Sequence, residues 1–159
     1  MAATADAAIV GAERELVITR VFDAPRRLVF KMWTAPEHLV RWWGPRGFTT
    51  ISGRMDVRPG GAWVRHMRAP DGSEHRKHGI YREIVPSERL VFTYATEDAA
   101  GHSDPTTLVT VTFADLGGKT RLTLRQTLFE SVAARDSHLS GWASCLERFA
   151  EYLWSRAVA

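Results

Sequence analysis

Apolar and polar positions alternate along residues 13–22, which puts Leu16, Ile18 and Phe22 on one face of a predicted strand. Asp23-Ala24-Pro25 then reads as a helix start, with Asp23 available as a cap and Pro25 tolerated in the first turn. Leu28, Val29, Met32 and Trp33 follow at helical spacing, and this short helix ends near Thr34. Ala35-Pro36-Glu37 restarts a second short helix carrying Leu39, Val40, Trp42 and Trp43, which Gly44-Pro45 terminates.

From Phe48 onward the period is that of strands, and no internal repeat is detectable. Predicted strands at 48–57 and 62–68 flank Arg58-Pro59-Gly60-Gly61, whose glycines read as turn geometry because no strand-to-helix context makes them a phosphate cradle. Pro70-Asp71-Gly72 turns the chain into 75–84, and Pro86-Ser87-Glu88 turns it into 89–96, where Leu90, Phe92 and Tyr94 alternate. The polar run 97–105 is the longest loop. Strands at 107–113 and 120–128 flank Leu116-Gly117-Gly118-Lys119, with Leu122 and Leu124 directed inward and Thr123 and Arg125 outward. Past Glu130 the period turns helical, and Trp142, Cys145, Leu146, Phe149 and Leu153 form one apolar stripe.

This order predicts an α+β helix-grip fold. A curved seven-stranded antiparallel sheet wraps a long C-terminal helix, with two short helices after the first strand. Residues 13–156 are expected to form a single domain behind a disordered leader, residues 1–12. A sheet coiled around one helix leaves a cavity between them, and the mouth of such a cavity is where small ligands bind.

Composition narrows the class. The 159 residues are 45% hydrophobic and 25% charged, the globular norm. The 21 basic residues face 18 acidic ones spread along the chain, without a basic run or an aromatic RNA-binding motif, so no nucleic-acid partner is expected. The single cysteine, Cys145, permits no internal disulfide and suits a reducing compartment. Residues 1–12 carry no basic residue ahead of an apolar core and do not read as a signal peptide, so the expected location is the cytoplasm. No apolar stretch approaches the roughly 20 residues of a membrane span.

Several runs carry a family resemblance. They are Arg20-Val21-Phe22-Asp23-Ala24-Pro25, Val29-Phe30, Trp33-Thr34-Ala35-Pro36-Glu37-His38-Leu39 and Arg41-Trp42-Trp43-Gly44-Pro45. Downstream come Asp56-Val57-Arg58-Pro59-Gly60-Gly61, Asp71-Gly72, Gly79-Ile80-Tyr81 with Glu83-Ile84, Glu88-Arg89-Leu90-Val91-Phe92-Thr93 and Gly141-Trp142. Together, and over nearly all of 13–153, they resemble the activator-of-heat-shock-protein-90-ATPase homologue (AHSA-like) family. That family belongs to the START-like, birch-pollen-allergen-like and polyketide-cyclase-like superfamily, SRPBCC. The resemblance implies a helix-grip fold with a deep hydrophobic pocket. It does not imply chemistry, since the superfamily holds lipid carriers, receptors, cyclases and oxygenase subunits alike. Nor is a chaperone partner expected, because the eukaryotic activators add a separate N-terminal domain for which this chain leaves no room.

The aromatic residues are the candidate ligand wall: Trp33, Trp42, Trp43, Trp63, Tyr81, Phe92, Tyr94, Trp142 and Phe149, with His66 as a polar anchor. Core packing is the competing reading for each of them, and Trp42-Trp43 reads either as a gate or as a plug. The expected ligand is a small hydrophobic, lipid-like or aromatic molecule. No cofactor is implied.

The six histidines lack metal-ligand spacing: His75 and His78, three apart on a strand, face opposite sides, and no HExxH is present. Asp136-Ser137-His138 is no catalytic triad, because adjacent helix positions diverge by about 100°. Cys145, within the apolar stripe, reads as a buried inert thiol. Two alternatives to a binding domain stay open. One is a cyclase-, dehydratase- or hydrolase-like enzyme in which inward-facing His66, His78 or Tyr81 moves a proton. The other is a cochaperone-like or homodimerising role through exposed Trp.

Overall fold

Turns too short to cross a sheet join most successive strands, so the strands pair antiparallel with their neighbours in sequence. The computed structural model describes residues 14–98 and 100–158; the expected leader and Glu13 lie outside them. In chain order the elements are β1 (Leu16–Phe22), α1 (Arg26–Thr34), α2 (Pro36–Trp42), β2 (Thr49–Met55), β3 (Ala62–Arg68), β4 (Glu74–Val85), β5 (Arg89–Glu97), β6 (Thr107–Leu116), β7 (Lys119–Thr127) and α3 (Val132–Val158). The single sheet runs β1-β7-β6-β5-β4-β3-β2. The long connection through α1 and α2 therefore carries the chain from one edge strand to the other. This is the α+β helix-grip fold.

Expected and observed elements differ in detail. Asp23 makes no capping bond: Pro25 occupies the N-cap position of α1, and no side chain caps that helix. β6 continues to Leu116 and β7 starts at Lys119, because Gly117 and Gly118 both take positive φ, the requirement of the tightest hairpin turn. Register shifts between Thr50 and Ser52 on β2, and between Tyr81 and Glu83 on β4, insert unpaired residues. Such bulges bend the strands and help the sheet to curve.

The inner face follows the alternation. β3 buries Trp63, Arg65 and Met67, β5 buries Phe92 and Tyr94, β6 buries Val109, Val111 and Phe113, and β7 buries Leu122 and Leu124. Against them α3 lays Trp142, Cys145, Leu146, Phe149 and Leu153, all buried, as the stripe predicts. Among the described residues no helix is long and apolar enough to cross a membrane.

Gly79 on β4 shows how closely the inner face is packed. It stands opposite Trp63, whose indole lies over it and donates from Nε1 to the Thr93 carbonyl at 3.1 Å. A Cβ at position 79 would collide with that carbonyl and with the indole nitrogen. Gly79→Ala is expected to destabilise the domain by about 2–3 kcal/mol in urea unfolding, as overpacking of a fully occupied site does.

Candidate functional site

Between the concave face and the first turns of α3 lies a cavity of about 320 Å³. Its deep walls are buried: Trp43 from the end of α2, Met67 from β3, Tyr94 from β5, and Trp142 and Cys145 from α3. Its rim is accessible, formed by Pro45 and Phe48 on one side and by Asp104 and Ser137 on the other. Gly141, in the middle of α3, also lines it, so that a helix position without a side chain faces the space.

Trp43 stands at the centre of the aromatic surface. Its ring lies 5.3 Å from Trp142, 5.9 Å from Trp63 and 6.4 Å from Tyr94, centroid to centroid. The backbone that carries it is held from α3: Arg148 Nη1 donates to the carbonyls of Trp43 (3.0 Å) and Gly44 (2.9 Å). Gly44 takes φ +91°, and a Cβ there would strike the Met67 Sδ-methyl. The Trp-Trp-Gly-Pro motif is thus needed for backbone shape and close approach as well as for stopping α2.

A buried polar chain sets the far wall. Trp142 Nε1 donates to Gln126 Oε1 at 2.8 Å, Gln126 Nε2 donates to Thr107 Oγ1 at 2.8 Å, and Thr107 Oγ1 donates to the Tyr94 carbonyl at 2.8 Å. Gln126 is fully buried. The alternation of β7 turns Gln126 inward with Leu122 and Leu124, but its partners on α3 and β6 were not legible, since they lie far along the chain.

Polar groups converge at the rim. Lys77 on β4 donates to Thr96 Oγ1 at 3.1 Å and lies 5.9 Å from the Tyr94 ring centroid. Burial lowers its pKa, and Asp104 opposes that shift. His138 on α3 bonds the Ala134 carbonyl through Nδ1 at 2.9 Å and packs edge-on to Tyr94. Burial lowers its pKa; the Ala134 carbonyl raises it, Lys77 lowers it and Asp104 raises it. Burial pushes the Tyr94 hydroxyl well above the ordinary range, and the Cys145 thiol up to about 12, the inert thiol expected of its stripe.

The expected wall residues divide into groups. Trp43, Tyr94 and Trp142 surround the cavity. Trp33, Trp63, Tyr81 and Phe92, again with Trp43, enclose a second void of about 20 Å³ beside it. Trp42 and Phe149 line neither: both are fully buried, with rings 4.5 Å apart, and Trp42 Nε1 donates to the Met32 carbonyl, so they are core and Trp42 is no gate. His66 lies on the outer face, half-exposed and 2.9 Å from Glu74, because β3 turns 63, 65 and 67 inward. His78 sits in register with Val64 and Ala95 on the same outer side, whereas His75 lines the cavity. Neither His66 nor His78 is therefore an internal acid–base group; Tyr81 alone of that trio is inside. Lys77, Asp104 and His138 went unrecognised, because a lysine inside a strand pattern reads as solvent-facing. Among the described residues no three His, Cys, Asp or Glu side chains are grouped to hold a metal.

A sequence profile of the Activator of Hsp90 ATPase homolog 1-like protein family matches residues 23–154. The chain belongs to this family. No curated protein matches it in sequence. Among solved structures, an AHSA1 protein from Silicibacter pomeroyi superposes with a TM-score of 0.81 at 22% identity, over 89% of this chain and 99% of that one. A protein from Arthrobacter aurescens superposes with a TM-score of 0.79 at 27% identity (91% and 88% covered). One from Chromobacterium violaceum does so with a TM-score of 0.76 at 28% identity (87% and 95% covered). The family match spans both the Trp-Trp-Gly-Pro wall and the cavity-lining part of α3 in this AHSA1-like chain.

Two outcomes test the site. Gln126→Leu strands the Trp142 N–H and is expected to cost about 1–3 kcal/mol in urea unfolding. His138 has a lowered pKa in the fold and the ordinary 6.5 when unfolded. Below that value the unfolded chain takes up the proton first, so this residue's contribution makes stability fall as pH drops through it. The difference in Tm between the wild type and His138→Asn, followed from pH 7.5 to 5, isolates it; the variant is expected to lose less stability over that interval.

Proposed function

We propose that this domain binds a small apolar or ring-containing molecule in the cavity between the concave sheet and α3. The observation that carries the reading is the cavity itself. Its 320 Å³ falls at the lower end of the volumes that hold small organic ligands, and Trp43, Tyr94 and Trp142 offer flat aromatic walls. Lys77, Asp104 and His138 at the rim supply the few polar groups that orient a ligand's polar end.

Gly141 supports the same reading. Glycine inside a helix costs about 1 kcal/mol relative to alanine. A Cβ there would meet only Pro45 Cγ, at 3.7 Å, an ordinary contact. Packing therefore does not demand the glycine, whereas room for a guest does.

A second reading, an enzyme, is favoured by one observation: a lysine and a histidine, each with its pKa lowered by burial, share the cavity with Asp104. These groups can exchange a proton with a bound molecule, and they replace His66 and His78 in that role.

The test uses the cavity. Wild-type protein titrated with a panel of naphthalene and alkyl compounds is expected to show tryptophan quenching and a raised Tm for at least one of them. Gly141→Ala is expected to raise stability by about 0.5–1 kcal/mol. Gly141→Leu, which fills the space, is expected to abolish both binding signals while the circular dichroism spectrum stays that of the wild type. Absence of any shift across the panel with wild-type protein sinks the proposal.

A further inference from the structure

Arg65 is an unusual occupant of an inner face. The alternation of β3 turns it inward with Trp63 and Met67, and it is only 3% exposed. Its Nε and Nη2 have no hydrogen-bond partner. Among the described residues no carboxylate forms an ion pair with it. Its register neighbour on β4 is a second inward cation, Lys77, and directly opposed like charges on one sheet face repel. Gly53, its register neighbour on β2, gives the guanidinium its room: a Cβ there would collide with Arg65 Nη1.

Burial lowers the Arg65 pKa, but an arginine keeps its proton, so the charge stays and its desolvation is uncompensated. Beside it lies the void of about 20 Å³, walled also by Trp33, Trp43, Trp63 and Tyr81. Trp33 Nε1 is buried and likewise unpartnered, while the Trp63 N–H is committed to the Thr93 carbonyl. Apart from the Tyr81 hydroxyl, which also accepts, the free polar groups around this void are thus donors. A water there accepts from them and can donate to the Tyr81 hydroxyl, but it brings no charge to offset the guanidinium. An acceptor that carries negative charge meets every requirement at once.

We infer that the void beside Arg65 is a binding site for a compact anionic acceptor, seated against the guanidinium Nε and Nη2. Its size admits a halide ion or a carboxylate oxygen and excludes phosphate and sulfate. The acceptor comes either from solvent, as free halide, or from the acidic end of a molecule in the larger cavity, with which the void shares Trp43 as a wall. The second source rests on the binding function proposed above; the first does not.

The experiment has two arms, each read by thermal unfolding of wild-type protein, Arg65→Met and Arg65→Lys. In the first arm sodium chloride or bromide replaces sodium gluconate at constant ionic strength. In the second, naphthalene-2-acetate is compared with its neutral amide in gluconate. Wild-type Tm is expected to rise by about 2–4 °C with at least one of halide or acid. Arg65→Met is expected to abolish that rise, and to be as stable as the wild type, or more so, without ligand. Arg65→Lys, which keeps a charge but loses the fork, retains less than half of the rise and serves if the methionine variant does not fold. A rise with halide alone assigns the free ion, and a rise with acid but neither halide nor amide assigns the ligand's carboxylate. If neither halide nor acid produces a rise that depends on Arg65, the inference is overturned. Equal binding of acid and amide by wild type and Arg65→Met, with no halide effect, removes the anion site and leaves the cavity function standing. A halide effect with no naphthalene binding supports the site and counts against that function.

Discussion

The hydrogen-bonded chain from Trp142 through Gln126 and Thr107 to the Tyr94 carbonyl is the constraint on which the site depends. It ties α3 to three neighbouring strands of the sheet by groups that are buried and have no water to fall back on. Sliding the helix along the sheet would leave an amide or an indole unpaired at a cost of a few kcal/mol, so the helix has one allowed register. In that register Trp142 and Tyr94 pack against each other, with ring centroids 6.0 Å apart, and together form one aromatic wall of the cavity.

A second tether works on the opposite wall. Arg148 reaches from α3 to the carbonyls that follow α2, and Arg46 pairs with Glu151 while its backbone N–H donates to Ser144 Oγ at 2.8 Å. Trp43 is thereby fixed at the boundary of both voids. The helix is thus tied to the sheet by one set of bonds and to the segment after α2 by the other, and residues of both sets line the cavity. Below it, Trp33, Trp42, Phe149 and Phe22 close into a cluster of tilted and edge-to-face rings that leaves no comparable space. The open half and the filled half of the interior are built from the same residue types.

Electrostatics divides the interior in the same way. The filled half is apolar, whereas the strands β3 and β4 bring Arg65 and Lys77 side by side on the concave face. Lys77 faces the larger cavity together with Asp104 and His138, whereas Arg65 faces the smaller void, where among the described residues no carboxylate pairs with it. Stability alone would favour hydrocarbon at those positions.

The elements were legible because their cause is local. Period-two runs, the Gly-Gly hairpin and the helical stripe from Trp142 to Leu153 each state a preference that the tertiary fold satisfies, and β7 keeps its expected faces. The missed items are those whose cause is distant. Asp23 has cap chemistry, yet Pro25 takes the N-cap position. His66 and Trp63 are equally plausible as inward residues until the register of β3 is known, and then one is exposed beside Glu74 and the other is buried over Gly79. The sequence by itself determined the order of elements, the apolar faces and the family, since these depend on neighbours a few residues apart. Only the tertiary structure decided which aromatics border empty space, which polar groups, Lys77, Arg65 and His138, turn inward, and what Gln126 bonds there. Such choices are made by pairing across strands and against α3, between residues up to a hundred positions distant, and a linear pattern carries no record of them.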